Sequence, residues 1–166
     1  MITISRESLR EALALYKPKC RVLRGANIEY PSSTGSFFIG PSYYTTKPLE
    51  HTTDIEIQLC LNQLAYATLY ETIRLNLDPE INDLNFMELQ KDGMFIIESK
   101  KRFRRQIPND RIIQGSIEIK EKKRADNILL CYAKFQFENK SCFGDLELAV
   151  VSLTQITTPR RQTFLP

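Results

Sequence analysis

A chain of 166 residues, 42% apolar and 26% charged, has the length of one ordinary domain and enough apolar content to bury a core without metal or disulfide staples. Its net charge of +3 is too mild to demand a polyanionic partner. Four cysteines and a single histidine, with no CxxC pair, lack the ligand spacing of a structural zinc site.

Cys60 and Cys131 sit in apolar stretches, where free cysteine behaves as a small hydrophobe, and a reduced, cytoplasmic setting is the simplest expectation. No apolar run approaches the roughly 20 residues that cross a bilayer. The opening MITISRESLREALALY lacks the charged-then-apolar pattern of a secretory signal. A soluble protein that does not engage membranes is expected.

In chain order, Ser5 caps a short helix whose Leu9, Ala12, Leu13 and Tyr16 share a face and which Pro18 stops. A stretch punctuated by Gly25, Pro31, Ser32, Ser33, Thr34 and Gly35 reads as loop, with Val22 to Tyr30 a weak strand candidate. Gly35 to Tyr44 reads as a strand broken by Pro41. From Asp54 to about Leu75 the period changes: Ile55, Leu59, Asn62, Tyr66, Leu69 and Ile73 recur at steps of three and four. With Ile57, Leu61, Leu64 and Ala65 beside them, this predicts a long helix, about 30 Å, that is apolar on most sides and therefore buried.

Beyond Pro79 the period is two. Met94 to Arg105 is one strand, Ile113/Gly115/Ile117/Ile119 alternate with polar neighbours in a second, Leu129/Cys131/Ala133/Phe135/Phe137 in a third, and Asp145 to Thr154 forms the last. Short polar turns between them imply antiparallel neighbours. One long buried helix followed by an antiparallel meander is an α+β arrangement: either a hotdog fold, with a curved sheet wrapped around the helix, or an unrelated α+β sandwich. The expected organisation is an N-terminal helix and loop extension over 1–34, a main domain over 35–156 and a flexible tail over 157–166.

Three constellations are candidates for chemistry. The first is Tyr43-Tyr44 followed by His51-Thr-Thr-Asp-Ile-Glu56, where the chain's one histidine precedes a helix N-terminus beside two carboxylates. Free N–H groups there suit a thioester carbonyl or a developing oxyanion, and Glu56 or Asp54 would position or deprotonate a nucleophile. The same letters, Thr53-x-x-Glu56, also spell a capping box with no catalytic duty. The second is Asn62-Gln63 within the apolar helix: a buried amide must find partners or cost a few kcal/mol. It is either satisfied by a neighbouring segment or holds a substrate carbonyl.

The third is Lys100-Lys101-Arg102-Phe103-Arg104-Arg105. Alternation on a strand splits it into Lys100/Arg102/Arg104 and Lys101/Arg105. No aromatic stacking platform accompanies it, which argues against nucleic acid and for the phosphates of a coenzyme A or pantetheine arm, or a substrate carboxylate; a plain solvated edge strand is the alternative. A glycine-rich phosphate loop and a GxSxG elbow are missing.

The block Tyr44…His51-Thr-Thr-Asp-Ile-Glu56…Cys60-Leu-Asn62-Gln63-Leu-Ala-Tyr66 resembles the FcoT-like thioesterases, as do Arg102-Phe-Arg-Arg105 and Cys142-Phe-Gly-Asp-Leu-Glu-Leu-Ala-Val-Val. The likeness runs from about Gly35 to Thr154. It implies a hotdog fold, a homodimer or higher homo-oligomer, and acyl-CoA or acyl-carrier-protein substrates, with no cofactor beyond the coenzyme A or phosphopantetheine that carries them. By the resemblance, Tyr44, His51, Glu56 and Asn62 are the candidate catalytic residues. Tyr43, Thr53, Asp54, Tyr66, Arg102, Arg104 and Arg105 are the candidate substrate contacts. Thr53 stands where the family has Asn, Gln106 where it has Pro, and the Tyr-to-His spacing is longer by one. The leading expectation is thioester hydrolysis. The alternative is addition of glycine to the β-carbon of a (2E)-enoyl thioester, a reaction of some family members, and the third is a non-catalytic acyl-carrier or nucleic-acid-binding module.

Overall fold

A computed structural model of the protein describes residues 1–41, 44–82 and 84–151. Ser5 caps α1 (Arg6–Ala12), its hydroxyl accepting from the Ser8 N–H at 3.0 Å. This helix ends six residues before Pro18, because Leu13 to Tyr16 close a turn instead, with Tyr16 N–H bonded to Leu13 O at 3.0 Å. Residues 1–34 also supply β1 (Ile2–Thr3), which the pattern did not suggest, and β2 (Leu23–Glu29), which matches the strand candidate over Val22 to Tyr30. β3 (Ser32–Phe38) begins within the Ser/Gly stretch read as loop and pairs with β2 across a tight Tyr30-Pro31 turn.

The centre is α2 (Asp54–Arg74), with Ile57, Cys60, Leu61, Leu64 and Ala67 fully buried. It stops in a Schellman motif: Leu77 N–H reaches Thr72 O at 2.9 Å and Asn76 N–H reaches Ile73 O at 3.2 Å. Asn76 takes the left-handed conformation (φ 52°) that this motif requires and that asparagine tolerates. After a short turn of helix, α3 (Phe86–Glu88), come β4 (Met94–Phe103), β5 (Ile112–Ala125), β6 (Ile128–Phe137) and β7 (Cys142–Val151). The last strand starts three residues earlier than its alternation suggests, and Ser152 to Thr154 lie outside the described residues, as does the tail.

All pairings are antiparallel, in a seven-stranded sheet of order β1-β2-β3-β5-β6-β7-β4. Bulges at Leu23/Gly25, Ile96/Glu98 and Ile119/Glu121 bend it. The inward residues of β5 and β6 are the predicted ones: Ile113, Ile117, Leu129, Cys131, Phe135 and Phe137 are buried. β4 lies at the edge beyond β7, with Phe95 and Ile97 exposed. It approaches β7 so closely at Gly144 that a Cβ there would stand 1.7 Å from the Lys100 carbonyl oxygen. No helix of the described residues is long and apolar enough to cross a membrane.

At the far end of α2, Asp78 is 2% exposed and accepts from Lys122 Nζ at 2.5 Å, from the Glu80 N–H at 3.1 Å and from the Tyr30 hydroxyl. This cluster ties the loop after α2 to the sheet beside a void of about 40 Å³.

Candidate active site

Thr53 and Glu56 form the capping box that opens α2. Glu56 is 5% exposed, and its Oε2 accepts from the Thr53 N–H at 2.7 Å and from the Thr53 hydroxyl. The Tyr44 hydroxyl donates to the other oxygen and lies 2.7 Å from the Thr53 hydroxyl. Both readings of the motif therefore meet in one cluster: the carboxylate caps the helix and is gripped by the tyrosine that the resemblance places with it.

His51 bridges to Pro108, and the next N–H, of Thr52, bonds Ile107 O at 2.7 Å, fixing the approach to the helix. His51, Thr53 and Asp54 then face Phe103, Arg104, Arg105 and Gln106 across an open cleft of about 410 Å³. Sequence positions 50 residues apart thus come together at the N-terminus of α2. Tyr43 lies outside the described residues.

The amide pair divides its duties. Gln63, fully buried, is satisfied three times over: its Oε1 accepts from the Val22 and Leu23 N–H groups at 2.9 and 3.0 Å, and its Nε2 donates to Cys20 O at 2.6 Å. It pins the entry to β2. Asn62, expected to point into packing, is half-buried at the rim of a second groove of about 260 Å³, walled by Tyr66, Met94, Phe95, Ile96 and Leu148. It stands six residues from Glu56, about 9 Å along the helix and on another face. Within one chain, Asn62 and the Tyr44–Thr53–Glu56 cluster are separate. Tyr66 is buried edge-on between Tyr16 and Phe86, so its ring builds the groove wall.

The basic run divides only in part as alternation requires. Lys100, Arg102 and Arg104, the last just beyond the end of β4, line a depression of about 630 Å³ on the outer sheet face, and Lys101 also reaches its lining. Lys100 there pairs with Glu98 at 2.8 Å, while Arg104 lies 4.8 Å over the Phe143 ring and also borders the His51 cleft. Arg104 is the hinge between the two spaces; Arg105 belongs to the cleft.

Sequence reasoning missed Lys101. Its side chain is only 11% exposed and turns inward to α2, meeting Asp54 Oδ1 at 2.9 Å and Gln58 Oε1 at 2.5 Å. Part of the signal was present: alternation separates Lys101 from Lys100 and Arg102, and on a core-facing side a lysine needs a partner.

Burial and the nearby Glu56 push the Cys60 thiol well above its ordinary range, and burial takes Cys142 up to about 11 despite Lys101 beside it. Neither is a thiolate at neutral pH. Tyr16 is also pushed up, by burial and by Tyr66, with a hydrogen bond from Asn62 partly offsetting the rise.

The model of the FcoT-like thioesterase domain matches residues 11–150. The chain belongs to this family. Proteins of Mycobacterium tuberculosis and Mycobacterium bovis named (2E)-enoyl-[ACP] glycyltransferase are 29% identical to it, the alignment covering 92% of this chain and 90% of theirs. Among solved structures, a mutant thioesterase of Pseudomonas aeruginosa superposes with a TM-score of 0.56 at 14% identity, covering 90% of this chain and 96% of that one. A sigma28-regulated virulence protein of Campylobacter jejuni gives 0.54 at 13% identity, covering 93% and 96%. These likenesses carry the fold: this FcoT-like chain is a hotdog protein, α2 being the central helix. It is a thioesterase-family protein of the kind that acts on acyl thioesters.

Proposed function

We propose that this FcoT-like protein adds glycine to the β-carbon of a (2E)-enoyl thioester. The observation that carries the reading is the state of Glu56. Both its oxygens are occupied by Tyr44 and Thr53, which leaves the carboxylate best placed to direct water engaged elsewhere. Arg104 and Arg105 beside His51 meanwhile form a cleft suited to a carboxylate-bearing co-substrate. The name of the mycobacterial relatives supports the same reaction.

In this reading Arg104 and Arg105 hold the glycine carboxylate and His51 takes a proton from its ammonium group. The amine nitrogen then bonds to the β-carbon, the alkene pair moves to the thioester oxygen as an enolate, and the proton returns to the α-carbon with the thioester intact. Hydrogen-bond donors stabilise that oxygen: Asn62 or the N–H groups opening α2. Phosphates of the pantetheine arm, on coenzyme A or a carrier protein, lie along Arg102 and Arg104. Asn62 stands about 12 Å along α2 from Asp54, so the complete site takes its two halves from different copies of the chain. Exposed Ile55, Phe95 and Ile97 on α2 and edge strand β4 are the apolar surface for such a homodimer.

Thioester hydrolysis is the second reading, favoured by the description of the matched family. It requires Glu56 to release Tyr44 and accept a water. Intact-mass analysis of a (2E)-enoyl-carrier protein, incubated with and without glycine, separates the two. A mass gain of one glycine with the thioester retained is expected. Loss of the acyl group without glycine would make the protein a hydrolase, and no change under either condition would overturn both readings.

A further inference from the structure

Among the polar contacts along α2, one chain of hydrogen bonds fixes a direction. Lys101 Nζ lies 2.5 Å from Gln58 Oε1, and Gln58 Nε2 lies 3.0 Å from Asn62 Oδ1. Oxygen and nitrogen of an amide are interchangeable in shape, so their order must come from the partners. A lysine ammonium carries three donors and no acceptor. The Gln58 atom facing it is therefore the oxygen, the Gln58 NH2 must face Asn62, and the Asn62 atom receiving that N–H must again be the oxygen.

Asn62 consequently turns its NH2 away from Gln58, to the side of the Tyr16 hydroxyl with which it interacts. Asn62 itself borders the groove walled by Tyr66, Met94, Phe95, Ile96 and Leu148, and an amide nitrogen carries two N–H donors, so one remains beside the bond to Tyr16. Lys101 is itself locked, by Asp54 at 2.9 Å and by its burial. The lysine and glutamine thus set the polarity of an amide two helical turns from the cap.

We propose that Lys101 and Gln58 are positioning residues that hold Asn62 as a hydrogen-bond donor toward the groove, so that it receives the carbonyl oxygen of an acyl thioester. The assignment of that carbonyl rests on the acyl-thioester reading above; the orientation of the amide does not. An Asn62 turned the other way would present its own oxygen, and two carbonyl dipoles would repel just where negative charge develops.

Gln58→Glu tests this sharply. The new carboxylate keeps the bond to Lys101 but has no N–H for Asn62, whose NH2 is then drawn to it. Turnover of the acyl thioester should fall about 100- to 1,000-fold, the scale of losing one oxyanion donor, with KM within about threefold. Lys101→Met should fall in the same direction and Lys101→Arg should recover most of the loss. In an Asn62→Ala background, Gln58→Glu should cost nothing further, because the relay then has nothing to orient. An additive loss in that double variant, or full turnover by Gln58→Glu, would overturn the proposal. A second measurement needs no substrate: the side-chain NH2 resonances of Asn62, identified by their disappearance in Asn62→Asp, should shift in Lys101→Met and Gln58→Glu. Unmoved resonances would sink the relay, whereas shifted resonances in a protein that turns over no acyl thioester would sink only the functional reading.

Discussion

Replacing Lys122 with methionine removes the cation from a buried carboxylate while keeping most of the unbranched stem of the side chain. Asp78 is 2% exposed and Lys122 22% exposed, so the pair is shielded on one side only. Breaking a fully buried pair costs about 3–5 kcal/mol. Here Asp78 keeps the Tyr30 hydroxyl and the Glu80 N–H, which brings the expected loss to about 2–3 kcal/mol. For a chain of this size that is a fall in Tm of about 5–10 °C at neutral pH.

The pH dependence is the sharper test. Burial raises the Asp78 carboxyl, but hydrogen bonds from Lys122 and Tyr30 outweigh it and hold the group below the ordinary carboxylate range. Its contribution to stability is therefore present above the unfolded value, about 3.9, and is lost as pH falls through the lower, folded one. Without Lys122 the burial effect dominates and the carboxyl rises above its unfolded value. The variant is then least stable, relative to the parent, at neutral pH and recovers on acidification. Circular-dichroism melts of both proteins at about pH 7 and about pH 4 should show a deficit that shrinks at the lower pH. A deficit equal at both, or absent at neutral pH, would refute the claim that the ammonium group compensates a buried charge.

Gln63→Leu strands the Val22 and Leu23 N–H groups and the Cys20 carbonyl, and denaturant titration should show a loss of at least about 3 kcal/mol. Tyr44→Phe removes one donor from Glu56 and should raise release of free acid from an enoyl thioester incubated without glycine, measured by mass spectrometry. If that rate does not move, the grip of Tyr44 on Glu56 is not what suppresses hydrolysis. Arg104→Ala, which opens the passage between the cleft and the outer sheet face, should raise KM for a carrier-bound substrate about tenfold with little change in kcat. Binding of that substrate by the parent should weaken with added salt, and the dependence should be smaller in the variant.

What could be read from the letters alone followed the strength of each period. α2 was legible because more than five turns repeat one pattern and Thr53 and Glu56 mark its start; β6 because its alternation is unbroken from Leu129 to Phe137. β3 was misread over Ser32 to Thr34, since small polar residues carry no burial signal of their own and become strand only through pairing with β2 and β5. The end of α1 at Ala12 was hidden for a similar reason: Leu13 to Tyr16 keep a helical spacing of apolar residues while folding as a turn. In the candidate site, the box and the cleft histidine lie where the pattern put them. The distinction between Asn62 and Gln63 was not accessible, because neighbours on a helix differ by about 100° and only the packing decides which faces a sheet. Alternation separated Lys101 from Lys100 and Arg102 without saying which face turns inward, and its partners Asp54 and Gln58 lie over 40 residues earlier, where only the fold introduces them.

The contact between Gly144 and the Lys100 carbonyl makes the geometry of the cationic strand depend on an atom that is not there. A relative could keep Lys101, Arg102, Arg104 and Arg105 letter for letter and still hold them elsewhere if position 144 carried any side chain. When a role is transferred from this protein to a newly found sequence, that glycine is the first residue to inspect, ahead of the arginines. The same holds for libraries that vary the cleft: a change at one charged position acts at that position, but a single methyl group on the facing strand would shift the whole run at once.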